Sequence, residues 1–394
     1  MHITYKWGKK EILFFLGYFL LGLTNVVIGN SYLFGEKRLI ICEIVQYISA
    51  VVFVTSFCID KYKTKEFLIR LVTAAVIFLV TAKSHSIGFG LCALSIVTSL
   101  NLSAEKIIKN SIRNNLFFIL IVVVPALLGF IPNKIYMHNG IKAYSLGFAY
   151  YSNLPNIIFM IMLALYWLSK TKIKENLLLL ISLPAQVFIY KISTLRLTFY
   201  LYLLFLIVVV CAKFYNRKKR HKLMTIFFTL MFPIGCMGTF IMSFLYEKSR
   251  LIAKFNEVIN YRLGFNYKGF MMYGLSLFGK KIEMVEEYWD ANNINHYFYI
   301  DSGYVFSFLS YGIIFFCLLI AMYTFLSRYA IKNNQIKLAV WCLMICIYSV
   351  INDVMFNTAL NPLPMIAFNL MWNSWSGKKK RGKLEWEQRS ITAR

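Results

Sequence analysis

The sequence predicts an all-α fold, a polytopic helical membrane protein of about twelve transmembrane helices with one large outer loop. Three observations predict it. Of the 394 residues, 59% are hydrophobic and only 15% charged, against about 45–50% and about 25% in soluble domains. Mean hydropathy is +0.61. The apolar residues fall into runs long enough to cross a bilayer core, which takes about 20 helical residues. A soluble enzyme, a nucleic-acid-binding domain and a disordered chain are excluded on this composition.

Taken in order, the runs place spans near 11–29, 39–59, 67–82, 86–102, 115–132 and 154–169. The second half adds spans near 177–192, 197–212, 223–245, 303–326, 337–352 and a short one near 362–374. The start of the chain, MHITYKWGKK, leads into the first run with no small-residue cleavage pattern, so it reads as a retained span and not a signal peptide. Charge orients the bundle. The chain carries 43 Lys and Arg against 17 Asp and Glu, a net +26. Most of the bases fall in segments that are cytoplasmic if the N-terminus is inside, among them Lys61, Lys63 and Lys65, then Lys170, Lys172 and Lys174, the cluster Arg217, Lys218, Lys219 and Arg220, and a tail from Lys378 to Arg381. That is the positive-inside pattern. It accounts for the excess charge without nucleic acid and puts both termini in the cytoplasm. The eight cysteines lie within or at the ends of apolar runs and form no CxxC pair, so neither a disulfide framework nor a metal site is expected.

The chain therefore divides into a bundle of about nine spans (1–245), a long outer segment (246–302), the last spans (303–374) and a basic tail (375–394). The segment 246–302 carries as many acids as bases and is rich in aromatics, including Tyr261, Phe265, Tyr267, Phe270 and Tyr273. A connection of that length is functional or disordered, and its composition is that of a folded one. An amphipathic helix is expected near 247–260, lying at the membrane surface. No internal repeat is visible, which weighs against a transporter built from repeats.

No P-loop, GxGxxG, HExxH or GxSxG is present, so chemistry falls to polar groups at the membrane boundary. Arg196, with Lys191 in YKISTLRLTFY, starts an apolar helix; a boundary arginine marks a site or snorkels to lipid phosphate. Arg262, in INYRLGFNYKGF, has a planar fork of donors that suits phosphate, with Lys268 six residues on as a point charge; the alternative is a solvated loop base. In HYFYIDSGY, Asp301 stands where the loop re-enters the bilayer. Half-desolvated, its carboxyl would have a raised pKa, useful to a general base. It equally suits an N-cap before a long helix. His296 is the second candidate base, and Tyr304 is counted with the substrate contacts. The outer loop 133–153, with His138, Lys142 and Asn153, offers rings for sugar faces or an interfacial aromatic belt.

Several short motifs, in their order along the chain, resemble the polysaccharide polymerases of the O-antigen and capsule pathway (Wzy-type), relatives of the O-antigen ligases. They are SLGFAYYSN (145–153), STLRL (193–197), NYRLGF (260–265), YGLSLFG (273–279), DSGYVFSFLSYG (301–312) and NTALNPLP (357–364). The resemblance implies an enzyme of the cytoplasmic (inner) membrane without metal or other cofactor. Its donor and acceptor would be undecaprenyl-diphosphate-linked glycans, and a chain-length regulator and a flippase would be partners in the membrane. By the same resemblance, Arg196 matches the junction arginine and Arg262 the outer-loop arginine that hold the lipid-linked substrate. Asp301 stands where the ligases carry His in a His–Asn–x–Tyr pattern, a departure that favours polymerase over ligase. A flippase or exporter of lipid-linked oligosaccharide, a ligase-like transferase and a non-enzymatic scaffold are the rival readings.

Overall fold

The computed structural model describes residues 8–59, 64–138, 140–214, 222–285 and 298–375. They form an almost wholly helical bundle. Eight of its helices are long and apolar enough to cross a membrane, and three shorter apolar helices accompany them; length and composition are those of a multi-pass membrane protein. The helices are α1 (Lys9–Gly22, continued by a π turn, Leu23–Ile28), α2 (Arg38–Ile59), α3 (Thr64–Ser84), α4 (Ile87–Thr98), α5 (Ala104–Leu127), α6 (Asn153–Leu168) and α7 (Lys172–Ser193). Then come α8 (Arg196–Phe214), α9 (Lys222–Leu245), α10 (Arg250–Val258), α11 (Arg262–Tyr273), α12 (Gly303–Lys332), α13 (Ile336–Tyr348) and α14 (Leu363–Trp375).

Two departures from the sequence reading have local causes. α5 begins at Ala104, well before the apolar run near 115, because Ser103 caps it by accepting from the Lys106 N–H at 3.3 Å. Its polar first turns were unreadable as a span, yet Asn110, Ser111, Asn114 and Asn115 are buried and face the bundle. The stretch 133–153 is not a plain loop. Ile135–His138 and Ile141–Tyr144 form an antiparallel hairpin, β1–β2, turning through Gly140 at φ +77°. The Asn-Gly pair at 139–140 is its sequence signal.

One core runs from α1 to α14, so the helices before the long segment 246–302 and those after it pack as a unit. Tyr18 on α1 donates to the Thr358 carbonyl (2.8 Å), and Ser95 on α4 shares a hydrogen bond with Thr358 (2.8 Å). A lower end is tied by Lys106–Glu11 (2.8 Å), Lys337–Glu175 (2.8 Å) and Asn369, whose Nδ2 donates to the Ser99 carbonyl at 3.0 Å. An upper end gathers the connections after α1, α5, α9 and α13. There the Tyr32 N–H donates to Gly147 (3.0 Å), Ala149 to Asn30 (2.8 Å) and Gly303 to Asn352 (3.1 Å). The long segment 246–302 lies, in its described parts 246–285 and 298–302, on this end. It begins with α10 and α11, the first shorter than the helix expected near 247–260, and its apolar side chains Phe270, Phe298 and Ile300 pack with Val305 and Leu309 of α12.

α12 is broken at Gly312 (φ +83°, ψ 166°). The chain 276–280 inserts there. The Ile313 and Ile314 N–H groups donate to the Ser276 and Leu277 carbonyls (2.9 and 3.3 Å), and the Lys280 N–H donates to Ser310 (3.2 Å). Freed backbone groups at that depth need partners from protein, and this segment supplies them.

Candidate functional site

The upper end collects the polar side chains. Arg262 is placed by the turn between α10 and α11, where Asn260 and Tyr261 both take left-handed φ (+57° and +59°). The buried Asn256 accepts through Oδ1 from the Leu263 and Gly264 N–H groups (2.9 and 3.4 Å), which satisfies donors left open at the start of α11. As the first residue of α11, Arg262 reaches two other segments. Its Nε meets Asp301 Oδ2 at 2.9 Å, and its Nη1 donates to the Ile351 carbonyl at 2.9 Å. Both side chains of the pair are half-buried, at 22% and 27% exposure. Burial raises the Asp301 carboxyl above the usual range, and the Arg262 charge and hydrogen bond pull the other way. Of the two readings of Asp301, the cap belongs to its neighbour: Ser302 Oγ accepts from the Val305 N–H at 3.5 Å and donates to the Ser349 carbonyl at 3.3 Å. Asp301 faces Arg262 instead.

Beside this pair opens a cavity of about 300 Å³. Asn25, Asn30, Gln46, Ser86, Asn357 and Asp353 line it. Apolar walls come from Phe89, Tyr311 and Phe356, packed with ring centroids 4.4 to 5.4 Å apart. Asp353 is exposed to the cavity although protein surrounds it. Its carboxyl is pushed up to about 6, first by desolvation and then by the Asp301 charge. Sequence reasoning missed Asp353 and the amides. The available signal was a carboxylate held between two apolar helices in SVINDVMFN.

The remaining expected residues lie elsewhere. Arg196 and Lys191, both exposed, line a second recess of about 220 Å³ with Tyr190, Thr194 and Ile141 of the hairpin. Among the described residues the Arg196 side chain has no hydrogen bond or ion pair. Lys268 is exposed, its Nζ 5.6 Å above the Phe298 ring. Tyr304 is fully buried and donates to the Cys346 carbonyl at 3.0 Å, so it lines neither recess. Asn153 begins α6 and donates through Nδ2 to the Asn30 carbonyl at 3.4 Å, tying the start of α6 to the end of α1. His138 ends β1, its side chain not being described, and His296 lies outside the described residues. The structure thus joins Arg262, Asp301 and Asp353 at one place and sets Arg196 in another.

Compared with protein-family models, curated proteins and solved structures, the chain has no match.

Proposed function

We propose that this protein joins undecaprenyl-diphosphate-linked oligosaccharide repeat units into a surface polysaccharide at the outer face of the cytoplasmic membrane, as the Wzy-type resemblance implies. The observation that carries the reading is one end of a lipid-embedded bundle that combines an uncharged-amide and aromatic cavity with a half-buried Arg–Asp pair and a separate cationic recess. Sugars need the first, and a diphosphate needs a cation. Eight long helices, with α4, α6, α13 and α14 as four shorter ones, would supply the twelve passes this reading needs. The basic segments 60–66, 170–174 and 213–222 join helix ends at the lower side, which supports a cytoplasmic lower end and an outer upper end.

In this reaction an acceptor hydroxyl attacks the anomeric carbon of the donor, and the lipid diphosphate leaves with the bonding electron pair. Arg196 and Arg262 would stabilise the charge that builds on the diphosphate, and a carboxylate of the same end would take the hydroxyl proton. The lipid tails never leave the bilayer, so recesses open at its edge are required.

Loss of the gene tests the reading. A polymerase deletion leaves single repeat units on lipid at the outer face, measured by mass spectrometry of extracted lipids together with accessibility to an added glycosidase. Units trapped at the cytoplasmic face would make the protein a flippase, and long lipid-linked polymer would make it a ligase; either result ends the polymerase reading.

A further inference from the structure

The upper cavity holds an acid that neither helix capping nor the ion pair accounts for. Asp353 is the one carboxylate among the described residues lining it. Around it stand neutral groups from several elements: Asn25 and Asn30 at the end of α1, Gln46 on α2, Ser86 before α4, Ser307 on α12 and Asn357 on its own connection. Amides and hydroxyls that both donate and accept, beside the flat faces of Phe89 and Phe356, match a sugar, whose hydroxyls do the same and whose C–H face lies on rings. No Lys or Arg among the described residues lines the cavity, so it is not built for the diphosphate. At about 300 Å³ it is at the small end of ligand pockets, which run from about 300 to 1,000 Å³, and it fits a terminal sugar and not a whole repeat unit.

Resting on the polymerase reading, we infer that this cavity seats the terminal sugar of the acceptor and that Asp353, not Asp301, takes the proton from its attacking hydroxyl. The O–H bond breaks as the oxygen bonds to the donor's anomeric carbon. The proton passes to the Asp353 carboxylate, and the bond from that carbon to the diphosphate oxygen breaks with its electron pair going to the departing diphosphate. Water takes the proton from Asp353 when the product shifts. Asp301 is engaged by Arg262 at 2.9 Å, whereas Asp353 has no ion pair among the described residues and opens on the cavity.

The charged and titratable groups that face Asp353 are Asp301 ahead of α12, itself paired with Arg262 of α11, then Tyr311 on α12, Tyr348 on α13, and Cys92 and Cys42 on α4 and α2. Tyrosine and cysteine stay neutral well above pH 6. The base works as a carboxylate, so the rate climbs as pH rises through about 6, the value to which Asp353 is pushed, and levels off above it. Asp301 helps raise that value, so Asp301→Asn moves the acid limb to lower pH, whatever it does to the plateau.

The test uses the full-length protein in phosphatidylethanolamine–phosphatidylglycerol vesicles, supplied with lipid-linked oligosaccharides extracted from cells lacking the gene. The wild type is expected to lengthen them with an acid limb near pH 6. Asp353→Asn is expected to slow the reaction by about 10²–10⁴-fold while eluting as a single folded species, and Asp353→Glu to restore part of the rate. Asp353→Asn at the wild-type rate, or an acid limb unmoved by Asp301→Asn, overturns the assignment while the polymerase reading stands. The limb shift decides alone should Asp353→Asn not fold. No lengthening by the wild type removes the reading itself, and the inference with it.

Discussion

Arg262 connects three segments through one guanidinium: α11 that carries it, the lead-in to α12 through Asp301, and the connection after α13 through the Ile351 carbonyl. A lysine has the charge but not the fork, and reaches one of these partners at a time. Removing the side chain leaves a desolvated carboxylate and a carbonyl without its donor. Arg262→Ala is therefore expected to cost on the order of 2 kcal/mol, the scale of hydrogen bonds to charged groups, with Arg262→Lys recovering part. Melting curves in detergent measure it. A double cycle with Asp301→Ala should show a coupling of about 0.5–3 kcal/mol, and additive single effects would mean the pair contributes no stability of its own. Both residues were visible in the sequence as boundary charges. Their partnership was not, because 39 positions separate them and no periodicity relates a loop base to a later acid. Asp353 escaped for a related reason: it gains its character from a cavity assembled by α1, α2, α4 and α12, and no local pattern announces such a cavity.

The broken α12 is the element on which this end depends. Gly312 lies about 14 Å along the helix from Gly303, at 1.5 Å per residue, and the inserted 276–280 passes so close that side chains do not fit. A Cβ on Gly279 would lie 2.0 Å from the Ser310 oxygen, and one on Gly312 2.3 Å from the Gly279 nitrogen, with φ of +86° and +83° besides. Gly274 has a positive φ as well, +58°, but open space around it. Gly279→Ala and Gly312→Ala are each expected to destabilise by more than about 4 kcal/mol, in the range where a substitution breaks structure. Gly274→Ala should cost only its backbone strain, about 1–3 kcal/mol for this positive-φ, extended-ψ conformation. Yield of folded protein on gel filtration and melting temperature rank the three; equal behaviour of Gly312→Ala and Gly274→Ala would show that the insertion is dispensable. The stretches 273–279 and 301–312 stand out in the sequence as separate motifs, yet Gly279 of one and Gly312 of the other serve one contact between them. Apolar runs reveal helices because burial in lipid is read residue by residue. The break, like the early start of α5 at Ser103, rests on backbone hydrogen bonds and polar faces that hydropathy does not register.

At the scale of the molecule, charge is what gives the bundle a direction. Ion pairs knit the lower end, Lys106 with Glu11 and Lys337 with Glu175, and Lys170, Lys172 and Lys174 stand at the junction of α6 and α7 on the same side. The proposed orientation turns this end to the cytoplasm, where the leaflet is anionic and basic segments stay behind during insertion. The upper end has the described parts of the segment 246–302 and the cavity. If the orientation is as proposed, an impermeant thiol reagent applied to cells stripped of any outer barrier should label Leu275→Cys, whose position is 66% exposed at the upper end, and should not label Asn333→Cys, exposed at the lower end between α12 and α13. Permeabilised cells should label both. Cys58, Cys211 and Cys317 are exposed on helix surfaces, so the unaltered chain sets the background. The reversed pattern would turn the Arg262–Asp301 pair and the Asp353 cavity to the cytoplasm. On the proposed function repeat units are joined only after they have crossed the membrane, so an inward cavity could not receive them, and the site would then have to serve a step that precedes the crossing.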